Sequence, residues 1–186
     1  TVPLKKFERD TIQRATQLAR KATYSKLSHK EKSHLDVFAF PGGVPIGASH
    51  ETRVRARQKL FVVSHGQIIS QTTLSFWKRL YSPEYDNDLW KTSLKRVFPD
   101  KRLKRSHISS SLEVVYSTRN RVAHHEPVYG DRLEEAMKGL EFLRNALGAR
   151  KIGEETTFKR FSRVQYLRLR MDYEGFLAAW RTLTKC

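Results

Sequence analysis

Apolar residues recur every three or four positions along most of this chain, the spacing of helices that bury one face. Between residues 4 and 22 the stripe is Leu4, Phe7, Ala15, Leu18 and Ala22, and a shorter helical stretch follows over about 28–38. Residues 40–49, FPGGVPIGAS, carry two prolines and three glycines and read as a connecting loop, with a mobile lid as the alternative. Helix is expected again from about 51 to 81, bent near Gly66, with Ile69, Thr72, Phe76 and Leu80 on one face. Ser82, Pro83 and Glu84 then read as an N-cap, a first-turn proline and a first-turn acid. The helix they open has Leu89, Trp90, Leu94, Val97 and Phe98 as its apolar side, and Pro99 stops it. After a basic connector at 101–105, a helix is expected from about 106 to 125. Asp131 and Glu134 have the spacing of a capping box for the next one, whose stripe is Leu133, Met137, Leu140, Leu143 and Leu147. A last helix around 169–183 carries Phe176, Leu177 and Trp180. No alternating strand pattern exceeds a few residues, and there is no internal repeat. The pattern predicts an all-α fold in a single domain over 1–186, with 40–49 its clearest break.

Charge adds a class of partner. Lysine and arginine number 36 against 19 acids in 186 residues, a formal net charge of +17. A domain this basic attracts polyanions, which puts nucleic acid first, against the blander reading of a solvated basic surface. The single cysteine, Cys186, excludes an intrachain disulfide and a cysteine zinc site and fits a reducing cytoplasm. No apolar run approaches the ~18 residues of a membrane span. The start has no signal-peptide pattern, and the chain opens on Thr1 rather than Met, which leaves room for a longer precursor.

The stretch STRNRVAHHEPVY, from Ser117 to Tyr129, is the informative one. Placed on a helix at about 100° per residue, Ile108, Leu112, Val115 and Val122 share a face, and Arg119 falls in its middle. A charge there is costly unless the side chain snorkels to water or meets a carboxylate. Asn120 and His124 are four apart, so the amide is placed to orient the imidazole. Arg119 lies about one turn from His124, close enough to share a phosphate. Pro127 biases Glu126 out of helical geometry, so the helix is expected to end near His125, with His124 in its last turn, where the dipole favours an imidazolium. An arginine for phosphate charge and a histidine for proton transfer suffice to cleave RNA without a metal. In that chemistry the ribose 2′-OH attacks the adjacent phosphate, leaving a 2′,3′-cyclic phosphate and a 5′-OH.

Arg119-Asn120-x-x-x-His124 resembles the Arg-(polar)-x(3)-His signature of the HEPN superfamily, and RNRVAHHEPV resembles its Abi-like branch, named for abortive-infection proteins of bacteria. Leu74-Ser-Phe-Trp77, Tyr85, Leu89-Trp90, Leu94 and Arg96-Val-Phe-Pro99 are similar to a second block of that branch, so the likeness spans roughly residues 66–130. The resemblance implies a HEPN-like helical bundle with extra helices and a metal-independent endoribonuclease in a phage-defence or toxin setting. It also implies a homodimer whose two motifs share a composite active site, and an antitoxin or regulatory protein as a further partner. The chemistry points to the dimer as well, since one chain offers one His124 while cleavage wants both a base and an acid. Under the resemblance Arg119 holds the phosphate, Asn120 orients and His124 transfers protons. His125, Glu126, Arg121, Lys101, Arg102, Lys104 and Arg105 are supporting or RNA-contacting candidates, His125 as a carbonyl cap or an RNA contact. The branch's N-terminal helix with an LE-x-x-LRN-like string has no counterpart here, which implies a truncated or a compact member. Tyrosine stands two residues after the histidine in HEPN toxins paired with nucleotidyltransferases; position 126 is Glu, so regulation through that tyrosine is not expected.

Other chemistries find less. His124, His125 and Glu126 diverge on a helix, His107 is remote in sequence and no HExxH is present, so neither a metal nor any other cofactor is expected. PGGVPIG is not followed by Gly-Lys-Ser/Thr, so it is no phosphate loop. Basic clusters at 53–57, 95–105 and 159–170 read as solvated helix faces with phosphate contacts among them. Trp77, Trp90 and Trp180 lie on apolar stripes and are expected in the core. Beside the ribonuclease stand two alternatives: a non-catalytic HEPN module that binds RNA or a nucleotide and works through a protein partner, and a basic helical DNA-binding domain.

Overall fold

The computed structural model describes residues 4–148, 160 and 162–184; Thr1, Cys186 and part of the 159–170 cluster lie outside the described residues. Among the described residues every regular element is helical and none is a strand, as the apolar spacing predicts. None of the described helices is long and apolar enough to cross a membrane. The chain divides into two compact units, Thr1–Trp77 and Lys78–Cys186, and the 40–49 loop lies inside the first.

In the first unit, α1 (Lys6–Ser25) packs against α4 (His50–Lys59) and α5 (His65–Ile69). Between them α2 (His29–His34) and α3 (Asp36–Ala39) divide the expected 28–38 helix in two. A reciprocal cap opens α2: the Glu31 N–H donates to Ser28 Oγ at 3.3 Å and the Ser28 N–H to Glu31 Oε2 at 2.8 Å. The buried face of α1 is not the expected one. Ala15 and Ala19 are buried, whereas Phe7 and Leu18 stay 47% and 49% exposed. Leu18 lies about 60° round the helix from Ala15, and the two alanines let the neighbouring helices approach where a leucine would hold them off.

The long helix expected over 51–81 is broken. Helix α4 stops at Lys59, α5 restarts after Ser64, and α6 (Leu74–Arg79) straddles the boundary between the units. Two features set the break. Arg20 Nε donates to the Phe61 carbonyl at 3.1 Å, taking an acceptor that helix would use. Ser64 and Gln67 form a capping box, with Gln67 N–H to Ser64 Oγ at 3.3 Å and Ser64 N–H to Gln67 Oε1 at 2.8 Å.

An ion cluster ties α1, α3 and α4 together. Arg57 reaches Asp36 through Nε at 2.6 Å and Nη2 at 2.5 Å, and Arg53 Nη2 reaches the same carboxylate at 2.5 Å. Arg57 Nη1 also donates to the Tyr24 hydroxyl at 3.2 Å. The hydrogen bonds from Arg57, and next those from Arg53, hold the Asp36 carboxyl well below the usual carboxylate range. Two of the three arginines at 53–57 therefore serve the fold.

In the second unit, the helix expected to follow Ser82 is replaced by a 3-10 turn (Pro83–Tyr85), a π-helical turn (Asp86–Trp90) and a second 3-10 turn (Leu94–Val97). Asp86 explains much of this. Its carbonyl accepts from the Lys91 N–H at 3.0 Å, while its carboxylate pairs with Lys91 at 3.2 Å and Arg105 at 3.0 Å. The irregular path still delivers Trp90 and Phe98 into one core with Ile108 and Ala146, flanked by Tyr81, Leu112 and Phe142. Trp77, in the first unit, is 37% exposed, so only one of the three expected core tryptophans is fully buried.

Over this core lie α7 (Arg105–Ala123) and α8 (Asp131–Ala146), an antiparallel pair: the His107 ring meets Phe142 at 6.5 Å, and Gly139 faces Ser111 and Val115. The capping box expected of Asp131 and Glu134 does not form. Gly130 takes the N-cap with φ 58°, and the two acids sit in the first turn, where they favour the dipole. Helix α9 (Arg163–Leu183) runs back along α8, with Arg144 over the Tyr166 ring at 4.6 Å and Trp180 stacked on Tyr129 at 5.3 Å.

Candidate active site at the end of helix α7

Pro127 ends α7 as its sequence position predicts, two residues earlier than expected: Ala123 is the last helical residue and His124 the C-cap. The His125 N–H donates to the Val122 carbonyl at 3.1 Å and the Glu126 N–H to the Arg121 carbonyl at 2.8 Å. Those two bonds define a Schellman end, which places the residue after the cap in left-handed geometry. Here that residue is His125, at φ 57°, the only described residue other than glycine with positive φ. The motif normally adds an apolar contact across the turn. This one has an ion pair instead, Arg121 Nη2 to Glu126 Oε2 at 3.2 Å.

Arg119 departs from the expected placement. The core under α7 lies beneath its N-terminal half, and by residue 119 the apolar face has left it: Val122 is 60% exposed and Arg119 reaches solvent. Its guanidinium donates to Asn120 Oδ1 at 3.1 Å and meets no carboxylate among the described residues. Asn120 therefore holds the arginine and not the histidine. The imidazoles of His124 and His125 are exposed and make no hydrogen bond to a described residue. The helix end thus presents, within seven consecutive residues, a guanidinium with no carboxylate among the described residues and two accessible imidazoles.

The structure brings Arg119, Asn120, Arg121, His124, His125 and Glu126 together and sets the basic connector apart. Arg105 begins α7, about 20 Å from Arg119 along the axis at 1.5 Å per residue. Arg105 Nη1 donates to the Tyr81 carbonyl at 2.7 Å while its Nε reaches Asp86. Lys101 Nζ caps carbonyls at the end of the preceding 3-10 turn, reaching Phe98 O at 2.7 Å and Arg96 O at 3.2 Å. Arg102, itself exposed, turns to Asp100 at 3.2 Å, which leaves Lys104 as the one of the four whose side chain meets no acceptor among the described residues.

Sequence reasoning missed a neighbour of the motif. Tyr129, in the loop that leaves α7, stacks on Trp180, and Trp180 stacks on Phe176 at 6.1 Å. Tyr129 and Phe176 are largely exposed, so this three-ring ladder is open at both ends. The four-residue spacing of Phe176 and Trp180 was visible; the contact with Tyr129, across 51 positions, was not.

Comparison with family models, curated proteins and solved structures finds no match to this chain.

Proposed function

We propose that this protein is a metal-independent endoribonuclease of the HEPN type, acting as a homodimer in phage defence or as a toxin. The observation that carries the reading is found at the end of α7: an exposed Arg119 that meets no carboxylate among the described residues, five positions before an exposed His124 whose imidazole makes no hydrogen bond to a described residue. Arg119 neutralises the scissile phosphate. His124 removes the proton of the ribose 2′-OH as its oxygen attacks phosphorus. The phosphorus–5′-oxygen bond breaks, and the same histidine of a second copy protonates the leaving oxygen. The products are a 2′,3′-cyclic phosphate and a 5′-OH, with no metal in the step. Asn120 positions Arg119 through its amide oxygen.

The test is cleavage of end-labelled RNA in EDTA by wild type, His124→Ala and Arg119→Ala. Wild type should leave cyclic-phosphate ends, and each variant should lose at least about 100-fold in rate, the lower range for general acid–base catalysis. RNA binding without cleavage by a wild-type protein shown to be dimeric sinks the enzyme and leaves the non-catalytic binding module in its place.

A further inference from the structure

Helix α4 divides its basic residues between two faces. Arg53 and Arg57 turn to Asp36, whereas Arg55 and Lys59 turn the other way, toward α1. There they meet Arg14, Gln17, Leu18, Arg20 and Lys21 across a groove of about 690 Å³, with Gln58 beside them. Positions 14, 17, 18 and 21 share one face of α1, and 55, 58 and 59 one face of α4, so each wall follows from helical spacing. Among the described residues five cations and two amides line the groove, and no carboxylate does. Two of the cations are engaged, Arg20 on the Phe61 carbonyl at 3.1 Å and Arg55 on Glu51 at 2.6 Å. Arg14, Lys21 and Lys59 are exposed and have no acidic partner among the described residues. Leu18, which stays out of the core, is the one apolar side chain among the described residues of the lining.

Like charges held along a concave surface repel one another, and an anion laid between them relieves the repulsion. A string of anions at regular spacing fits two facing rows of cations better than a single ion does. The cations stand on both walls of one groove, an arrangement that flanks a single phosphate backbone on two sides. Among the described residues no aromatic side chain lines the groove, so none of them stacks on bases there. We infer that the α1–α4 groove binds the phosphodiester backbone of a single-stranded nucleic acid independently of sequence. Arg14, Lys21 and Lys59 contact phosphates, and Gln17 and Gln58 hydrogen-bond the backbone oxygens. The assignment stands apart from the chemistry at α7, since a chain that fails to cleave RNA can still bind it here.

Binding of a labelled oligouridylate, followed by fluorescence anisotropy in a His124→Ala background to prevent cleavage, tests it. The triple variant Arg14→Gln/Lys21→Gln/Lys59→Gln should bind about tenfold more weakly, with a log K against log salt plot shallower by about 2, at ~0.7 per lost contact. A control triple at exposed lysines, Lys26→Gln/Lys30→Gln/Lys138→Gln, removes the same charge and should stay within about twofold. Single variants Lys21→Gln and Lys59→Gln should each lower the slope by about 0.7, which keeps the test alive if the triple folds poorly. An oligodeoxythymidylate arm separates the sources: equal loss marks a reader of either backbone, and loss confined to RNA adds recognition of the 2′-OH. An unchanged slope in the groove variants, an equal loss in the control, or tighter binding of duplex than of single strands overturns the proposal.

Discussion

Glu126 holds Arg121 twice, its N–H on the Arg121 carbonyl at 2.8 Å and its carboxylate on the Arg121 guanidinium at 3.2 Å. The double contact closes α7 and also sorts the two arginines of the Arg-Asn-Arg string. Arg121 is spent on the helix end together with the only acid nearby in sequence. Arg119 meets no carboxylate among the described residues and offers its charge to solvent. Part of the AHHEP string therefore has a structural explanation as the continuation of a Schellman end.

That end carries a strained residue. His125 occupies the position where glycine is usual, at φ 57°, and a side chain in left-handed geometry costs roughly 1–2 kcal/mol. His125→Gly should therefore stabilise the protein by about 1 kcal/mol, a rise in Tm of roughly 2–4 °C for a chain of this size. Thermal unfolding followed by circular dichroism measures it. If RNA cleavage falls while Tm rises, the imidazole is kept for chemistry or binding at the expense of stability. If both readouts hold or improve, its role is confined to the turn.

Asp36 predicts a pH dependence. Its folded pKa lies below the ordinary value, so its contribution to stability is fully present above the unfolded pKa of about 3.9 and is lost as pH falls through the folded value. Asp36→Asn removes that contribution and leaves the buried Arg57 without its counter-charge. The variant should melt well below wild type at pH 7, and the gap should narrow steadily below about pH 4. A gap of constant size down to pH 2 would show that the carboxylate charge is not what holds α3 to α4.

The apolar period disclosed that the chain is helical and where α1, α7 and α8 run, because those helices are long enough for the spacing to repeat. It failed where a local polar bond competes with the period. Ser64 and Gln67 had the capping-box spacing that ends the 51–81 helix, a signal present in the sequence and outweighed by the continuing stripe. Asp86 unwinds the segment before Trp90 through Lys91 and Arg105, the latter 19 positions away, which no local pattern records. At the candidate site, Pro127 made the helix end legible, but the exposure of Arg119 depends on where the core stops beneath α7. The partner of Asn120 was misassigned because four-residue spacing makes contact possible without choosing among partners. The α1–α4 groove was hidden for a similar reason: composition counts cations but does not say which of them face acids.

Gly139 sits in mid-α8 where the helix crosses α7. A Cβ there would lie 3.5 Å from the Ser111 carbonyl oxygen and 3.6 Å from a Val115 methyl, ordinary van der Waals contacts. Close approach thus does not require glycine, whose backbone freedom costs a helix interior about 0.8–1 kcal/mol relative to alanine. Gly139→Ala should stabilise by roughly that amount, read as a rightward shift of the denaturation midpoint at constant slope. Gly139→Leu should destabilise, since its added carbons must enter the space held by Val114 and Val115. Equal loss in both variants would mean that α7 and α8 cannot yield even by a methyl group.

Asn120 provides the sharpest test of how Arg119 is held. Its Oδ1 accepts one guanidinium N–H at 3.1 Å and leaves the remaining donors for a phosphate. Asn120→Ala frees the arginine without changing its charge, so RNA affinity should drop about fivefold, the equivalent of one net hydrogen bond near 1 kcal/mol. Asn120→Asp puts a full carboxylate in the same place. A charge-assisted bond is roughly twice as strong as a neutral one, so the arginine would be occupied from within and the phosphate repelled; the expected loss is tenfold or more, about 1.4 kcal/mol or above. Anisotropy with oligouridylate in the His124→Ala background ranks them as wild type, then alanine, then aspartate. Should aspartate bind as well as asparagine, Arg119 is not the phosphate-binding cation, and the reading of this helix end as a ribonuclease site loses its anchor.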